Sequence, residues 1–187
     1  MLQQQQKHAE AQAAFADAQA KGFNDFGLFY HRAESEFALG QFDKAWEDFS
    51  TALVKSDGEA KMTANDKLQL QAELRLRRAE AAIAVKRYDQ AIEDFELLRQ
   101  QRPDNARQLI GLGMAYIGKG QLAQAIELLN GVIARAPSGA AFYGRGMAHY
   151  TAGNLAAALK DLDQAIALEP KNMRYAQVRA SLAAGRK

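Results

Sequence analysis

Residues 30–49 read YHRAESEFALGQFDKAWEDF, and this stretch decides the fold. Ala45 and Phe49 are four residues apart, a spacing that places them on one face of an α-helix. Ala33 lies twelve residues before Ala45 and is small enough to let a second helix approach closely. Between the two segments Gly40 can adopt the left-handed conformation that ends a helix. The stretch therefore predicts two helices joined by a tight turn.

The same arrangement recurs along the chain. The small residue that opens the second helix of each unit is Ala45, Ala91, Ala125 or Ala158. Pro103 and Pro137 are 34 residues apart, and Pro170 follows 33 residues later, each a few residues after such a helix. A period near 34 residues, built from paired helices, is typical of a solenoid. Solenoids usually bind other proteins, so the period indicates a class of function without naming the partner.

Residues 30–49 and the segment from Gly144 to Pro170 match the pattern of one known family closely. On these residues the chain resembles a tetratricopeptide repeat (TPR) protein over about residues 26–172. The resemblance implies an all-α fold, a right-handed superhelical solenoid of antiparallel helix pairs. It also implies that the first helix of each pair, helix A, lines a concave groove, and that helix B packs behind it.

The repeat register predicts how the chain is divided. We expect repeats at 26–59, 72–105, 106–138 and 139–171, an N-terminal helix at 1–22 and a C-terminal capping helix at 172–187. The N-terminal helix has the register of a lone helix B, either as a cap or as the remainder of a longer array. Ala45 and Ala91 are 46 residues apart, so an insertion at 60–71 is expected to extend helix A of repeat two. In that repeat Lys86 takes the place of the turn glycine.

A charged pair recurs in three of the four repeats. In each of these repeats an arginine directly precedes the small helix-A residue, and an aspartate lies sixteen residues after the arginine. The pairs are Arg32 and Asp48, Arg78 and Asp94, and Arg145 and Asp161. In repeat three both charges are replaced together, by Leu112 and Leu128. This joint replacement favours internal ion pairs, with a Leu–Leu contact in repeat three. The alternative is that the arginines bind a ligand.

Composition and motifs argue against several classes of function. The chain has 24 basic and 22 acidic residues, a net charge of +2 that does not favour nucleic-acid binding. It has no cysteine, and His8, His31 and His149 lie in three different units without metal-ligand spacing. No apolar run is long enough to span a bilayer. We therefore expect no catalytic residue, metal, cofactor or membrane insertion. The expected compartment is the cytoplasm, or the periplasm if a signal lies upstream.

The groove implied by the resemblance is where specificity is expected. The residues expected to face it are Tyr30, Glu34, Phe37, Leu76, Glu80, Ile83, Arg107, Ile110, Met114, Ile117, Tyr143, Met147 and Tyr150. Methionine and tyrosine suit adaptable protein contacts. Co-chaperones that bind a C-terminal carboxylate use lysine, asparagine and arginine at inward slots, which here hold Tyr30, Glu34, Leu76, Glu80, Ile110, Met114, Tyr143 and Met147. The alternative is that neighbouring helices or the terminal helix bury these side chains.

Two functional hypotheses follow from the sequence. The first is a non-enzymatic protein–protein interaction module whose groove binds an apolar peptide segment of a partner. The second is a structural spacer or self-association unit of a larger bacterial, possibly envelope-associated, assembly. A homo-oligomer would then form through the N-terminal helix or the 60–71 segment.

Overall fold

The structure, a computed structural model, describes the backbone of residues 2–185 and the side chains of residues 10–185. His8 therefore lies outside the described side chains. In the described range the chain forms α-helices and no β-strand. The helices are α1 Leu2–Ala20, α2 Phe26–Ala38, α3 Phe42–Asp57, α4 Ala64–Ala84, α5 Tyr88–Gln101, α6 Ala106–Gly118, α7 Leu122–Arg135, α8 Gly139–Thr151, α9 Leu155–Leu168 and α10 Met173–Ala184. They group into two compact units, the first ending at Leu98 and the second beginning at Arg99.

Contacts within the first repeat show that its two helices are antiparallel. Next to the turn, the rings of Phe37 and Phe42 are 5.1 Å apart. At the far end of the pair, Nζ of Lys55 lies 5.3 Å from the ring centroid of Phe29. The start of α2 thus meets the end of α3, as expected for a helical hairpin with a short connection.

The repeat register matches the core. The helix-B alanine and the Phe or Leu four residues later are at most 1% exposed in every repeat. These residues are Ala45, Phe49, Ala91, Phe95, Ala125, Leu129, Ala158 and Leu162. A Cβ added at Gly113 would lie 3.0 Å from Cγ of Leu129, so the small helix-A residue permits close packing. The all-α solenoid fold predicted from the sequence is confirmed.

The turns between paired helices have one common geometry. Gly40, Gly120 and Gly153 have φ angles between 75° and 80°, in the left-handed region that glycine tolerates best. Lys86 occupies the same position in repeat two with a φ of 62°. There the Arg87 N–H donates to the Ala82 carbonyl over 2.8 Å, the long-range bond of a Schellman motif. Lys86, which has a Cβ, therefore adopts a backbone conformation that lowers the stability of the folded protein.

Helix α4 is longer than the other A helices. It has 21 residues, whereas α2, α6 and α8 have 13 each. Its first turn is capped by Thr63, whose hydroxyl accepts from the Asp66 N–H over 3.1 Å. Nζ of Lys67 donates to the Asp57 carbonyl over 2.6 Å, which ties the added turns to the end of α3. None of the helices, over the residues described, is long and apolar enough to cross a bilayer.

Candidate functional site

Three arginines each form a bidentate ion pair with one aspartate. Nε and Nη2 of Arg78 donate to the two carboxylate oxygens of Asp94 over 2.7 and 2.6 Å. Arg145 binds Asp161 in the same way over 2.8 and 2.6 Å. In repeat one, Nε and Nη2 of Arg32 donate to the two oxygens of Asp48. All three aspartates are buried, so each carboxylate is compensated by a bidentate, charge-assisted pair.

All three arginines also reach the preceding helix B, and in repeat two Nη1 of Arg78 donates to Oγ of Ser50 over 3.5 Å. Nη1 of Arg145 donates to Oδ1 of Asn130 over 2.7 Å, and Nη1 of Arg32 donates to Oε1 of Gln19 over 2.6 Å. The hydrogen bond to the aspartate is the main cause that raises the pKa of Arg32 and of Arg145. The guanidinium thus joins two neighbouring B helices, which favours a structural role over ligand binding.

Repeat three lacks this bridge. Leu112, in the arginine position, is fully buried, and Leu128, in the aspartate position, is half-buried. A direct contact between these two leucines stays a prediction from the register.

In the first unit, one arginine connects two of the predicted groove residues. Nε and Nη2 of Arg77 donate to the carboxylate of Glu34 over 2.6 and 2.9 Å. Its Nη1 donates to Oε2 of Glu80 over 2.7 Å, and its guanidinium lies 4.5 Å from the ring centroid of Phe37. The bond to Glu34 is the main reason that the pKa of Arg77 is raised. Glu34 and Glu80 therefore serve α2–α4 packing; a further contact with a ligand stays a prediction.

Arg77 is not among the site residues predicted from the sequence. Glu34 and Glu80 occupy the same slot of repeats one and two, directly after Ala33 and Ala79. Arg77 precedes Glu80 by three residues, a spacing that allows two helical side chains to pair. The repeated glutamate with a nearby arginine was the available signal. The bridge to the previous repeat needed the structure.

The other groove residues of the first unit are at least half-buried. Tyr30 packs near His31 and Phe49, with ring centroids 5.2 and 6.3 Å away. Burial, followed by the charge of Glu34, raises the pKa of the Tyr30 hydroxyl. Leu76 is only 6% exposed and belongs mainly to the core, and Ile83 is half-buried. The predicted groove residues of the first unit therefore expose little apolar surface to a ligand.

The second unit presents more of its predicted groove. Helices α6 and α8 pack against one another there. A Cβ at Gly144 would lie 3.3 Å from Cδ1 of Leu129 and 3.7 Å from Sδ of Met114, so Met114 of α6 lies beside this part of α8. Tyr150 is 46% exposed. Arg107 is also exposed. The remaining predicted groove residues of this unit are half-buried: Ile110, Met114, Ile117, Tyr143 and Met147.

The C-terminal helix covers one member of this set. The ring of Tyr143 stacks on Tyr175 of α10 at 5.3 Å, with 28° between the ring planes. The guanidinium of Arg174 lies 5.2 Å from the same ring. Tyr175 is itself fixed because its hydroxyl donates to Oε2 of Glu169 over 3.1 Å. The terminal helix therefore accounts for part of the burial of Tyr143.

A titratable group lies beside the first Arg–Asp pair. Glu36 is 6% exposed, and its Oε2 has no hydrogen-bond partner. Burial, reinforced by the charge of Asp48, raises the pKa of Glu36 to about 7, against the opposing charges of Arg32 and Lys44. The carboxyl group is therefore largely protonated in the folded protein at slightly acidic pH.

The described residues contain no cluster of histidine, aspartate and glutamate that could hold a metal ion. His31 is exposed, and Nε2 of His149 lies 4.0 Å from Oδ2 of Asp161, beside the pair with Arg145. His149 therefore lies in a structural contact. The arrangement offers packing surfaces and ion pairs, and it suits binding.

Sequence models of one family match most of the chain. Three tetratricopeptide repeat models match residues 30–106, 82–148 and 139–172. No curated protein sequence matches the chain.

Several solved structures resemble the chain at low sequence identity. The thermophilic TPR protein TTC0263 of Thermus thermophilus is 18% identical, with a TM-score of 0.69 over 95% of this chain and 91% of that one. MamA (residues 41 to the end) of Desulfovibrio magneticus RS-1 is 20% identical, with a TM-score of 0.67 over 88% and 87%. YrrB, described as a TPR protein with an unusual peptide-binding site, is 19% identical, with a TM-score of 0.64 over 94% and 84%. Likeness at this identity shows a shared fold.

Proposed function

Because this chain belongs to the tetratricopeptide repeat family, we propose that it is a non-enzymatic protein–protein interaction module. Its ligand is an apolar peptide segment of a partner protein. The contacts come from helix A of repeats three and four, within the second unit. They are made by Met114, Ile117, Tyr143, Met147 and Tyr150.

The observation that carries this proposal is the accessibility of apolar helix-A side chains on two adjacent helices. Tyr150 is 46% exposed, and Met114, Ile117 and Met147 are half-buried. Such side chains gain free energy when a partner covers them. Methionine adapts to different partner shapes, and tyrosine contributes a large contact area at a low entropy cost. A peptide-binding site is also described for YrrB, which has the same fold.

Tyr143 is partly covered by the C-terminal helix. Its stacking on Tyr175 leaves only part of the ring accessible, so a ligand would meet the edge of α10 as well as α8. We therefore expect Met114 and Met147 to contribute more to affinity than Tyr143.

The experiment is a double substitution, Met114→Glu with Met147→Glu. A partner is first identified by cross-linking, and its affinity for both proteins is then measured by calorimetry. Two carboxylates in an apolar interface should weaken binding by about a hundredfold, because their desolvation costs several kcal/mol. Val54→Glu is the matched control, since Val54 is 73% exposed and lies on α3, in the other unit. Unchanged affinity of the double variant for that partner would exclude this site.

A second candidate function is self-association through the added segment of α4. Leu68 lies on that segment and is 48% exposed, an apolar surface that a second copy would cover. Light scattering across a concentration series tests it. Association should be lost with Leu68→Glu and kept with Leu168→Glu, a control of the same exposure at the end of α9. A monomer at all concentrations contradicts this candidate.

A further inference from the structure

A cleft of about 430 Å³ opens in repeat three of the second unit, beside the residue that replaces the aspartate. We call it the repeat-three cleft. Leu128 and Tyr116 line one side of it, Arg99 and Arg135 stand at its rim, and Gln124, Glu127 and Gly131 complete the lining. A second cavity of about 410 Å³ shares Arg99, Leu128 and Arg135 with it, so the two adjoin. Together they have the size of a small-ligand or side-chain pocket.

The loss of the Arg–Asp pair accounts for the position of this cleft. In repeat four, Arg145 spans from Asp161 to Asn130 and so connects two B helices. In repeat three the corresponding residues are Leu112, which is fully buried, and Leu128. A leucine is too short and has no donor to make such a bridge. An apolar wall is therefore left accessible where the other repeats have a closed ion pair.

Gly131 is a second observation that points to a ligand. It lies inside α7, where a glycine is unfavourable relative to alanine. A Cβ placed on it would meet no atom within 4 Å, so no packing contact requires a glycine there. The missing side chain keeps the cleft wall open. A helical glycine with no steric reason in the fold is explained if something else must approach closely.

The charged residues at the rim of the cleft indicate the chemistry of its ligand. Nη1 of Arg135 donates to Asp104, but the two side chains are 55% and 76% exposed. Exposed ion pairs contribute little to stability, so a ligand carboxylate can replace Asp104 easily. Nε of Arg135 donates to the Gly131 carbonyl over 3.2 Å, so a ligand carboxylate would bind the terminal nitrogens of this guanidinium, and the adjacent side chain of Leu128 suits an apolar group.

We propose that the repeat-three cleft is a second peptide-binding site, which takes a large apolar side chain next to a carboxylate. The apolar group packs on Leu128 and Tyr116, and the carboxylate binds Arg135 and Arg99. Its ligand is thus an acidic segment of a partner protein with a Phe or Leu beside an Asp or Glu. The site uses none of the residues proposed for the apolar segment on α6 and α8, and it stands independently of that proposal.

The smallest probe with both groups is 3-phenylpropionate. Titrated into the ¹⁵N-labelled protein, it should shift the amide signals of Leu128 and Gly131 saturably, with a dissociation constant of the order of 1 mM for a ligand of this size. The neutral 3-phenylpropanamide should bind about tenfold more weakly, because it lacks the charge-assisted bonds. Absence of shifts at these amides, or equal binding of the two compounds, would overturn the proposal.

Two variants separate this site from a general effect on folding. Gly131→Ala should raise or preserve the melting temperature, since alanine favours the helix, yet weaken probe binding about tenfold by narrowing the cleft. Gln164→Ala, at the corresponding exposed position of α9, should leave binding unchanged. Arg135→Gln should weaken binding of the acid and not of the amide. Met114→Glu with Met147→Glu should leave the shifts unchanged. Undiminished binding to Gly131→Ala would contradict the site.

Discussion

At the residue scale, Asp94 shows how much depends on a single buried charge. Its side chain has no exposed surface, and it accepts two bonds from Arg78 while Nη1 of Arg75 lies 3.4 Å away. Without these partners the carboxylate would be neutralised or expelled, because a buried unpaired charge costs several kcal/mol. The contribution of the pair to stability is therefore best measured by comparing removal of one member with removal of both.

Asp94→Leu alone should destabilise the protein by about 3–5 kcal/mol, because it leaves the arginine charge without its buried partner. Arg78→Leu combined with Asp94→Leu should cost less, since it recreates the leucine pair of repeat three. Urea denaturation measures both free energies of unfolding. A double variant that is clearly less stable than Asp94→Leu would refute the pairing argument.

Glu36 gives a pH dependence with a defined sign. Its pKa rises from an ordinary value of 4.5 to about 7 on folding, mainly through burial. Between these values the folded state binds more protons than the unfolded state, so stability falls as pH rises through the window. The contribution of this group is fully present below pH 4.5 and is lost above about pH 7.

Glu36→Gln should therefore gain stability relative to the parent protein on going from pH 5 to pH 8. The gain should be of the order of 1 kcal/mol or more, because one unit of pKa shift corresponds to about 1.4 kcal/mol. Thermal melts at both pH values measure it. Glu47→Gln, at an exposed position of the same repeat, is the control. A difference between Glu36→Gln and the parent that does not change with pH would contradict the assigned shift.

Sequence reasoning reached some of these residues and missed others for a physical reason. The Arg–Asp pairs left a trace in the chain because both members changed together in repeat three. Arg77 and Glu36 act in only one place each, so no second copy within the chain reports on their contacts. Their roles follow from the distance between neighbouring repeats and from burial, which only the structure supplies.

At the element scale, the ends of the A helices decide how each hairpin turns. Lys86 carries a φ of 62° where the other three repeats have glycine. Lys86→Gly should stabilise the protein by about 0.5–1 kcal/mol, because glycine adopts this conformation without steric strain. Chemical denaturation measures the change. Lys86→Ala should give no such gain, and a gain of the same size in that variant would contradict the backbone explanation.

The helices themselves were largely predictable, and their exact surroundings were not. The insertion at 60–71 was expected to extend helix A of repeat two, and α4 begins within it, at Ala64. The bonds from Lys67 and Gln71 to Asp57, which dock the added turns, depend on side-chain reach across a loop. A periodic pattern contains no information about such contacts.

At the scale of the whole molecule, the period of 34 residues was sufficient for the fold, because in a solenoid most contacts of a repeat are with its neighbours. It was insufficient for the proposed binding sites. Tyr143 and Tyr150 occupy related helical positions in the sequence, yet one is stacked beneath Tyr175 and the other is 46% exposed. The repeat-three cleft arises where the pattern breaks, and a break in a pattern does not reveal whether the space is filled or open.

Nearest-neighbour packing also predicts that damage at one end stays local. Tyr175 is 5% exposed, stacks on Tyr143 and donates to Glu169, so Tyr175→Ala should remove about 3 kcal/mol of packing free energy from α8–α10. Hydrogen exchange should then show faster amide exchange in α8, α9 and α10, with protection in α2 and α3 unchanged. Tyr150→Ala, which truncates a more exposed tyrosine, should leave both regions as they are. Equal loss of protection in α2 and α3 would show that the array unfolds as one cooperative unit and would contradict the nearest-neighbour description.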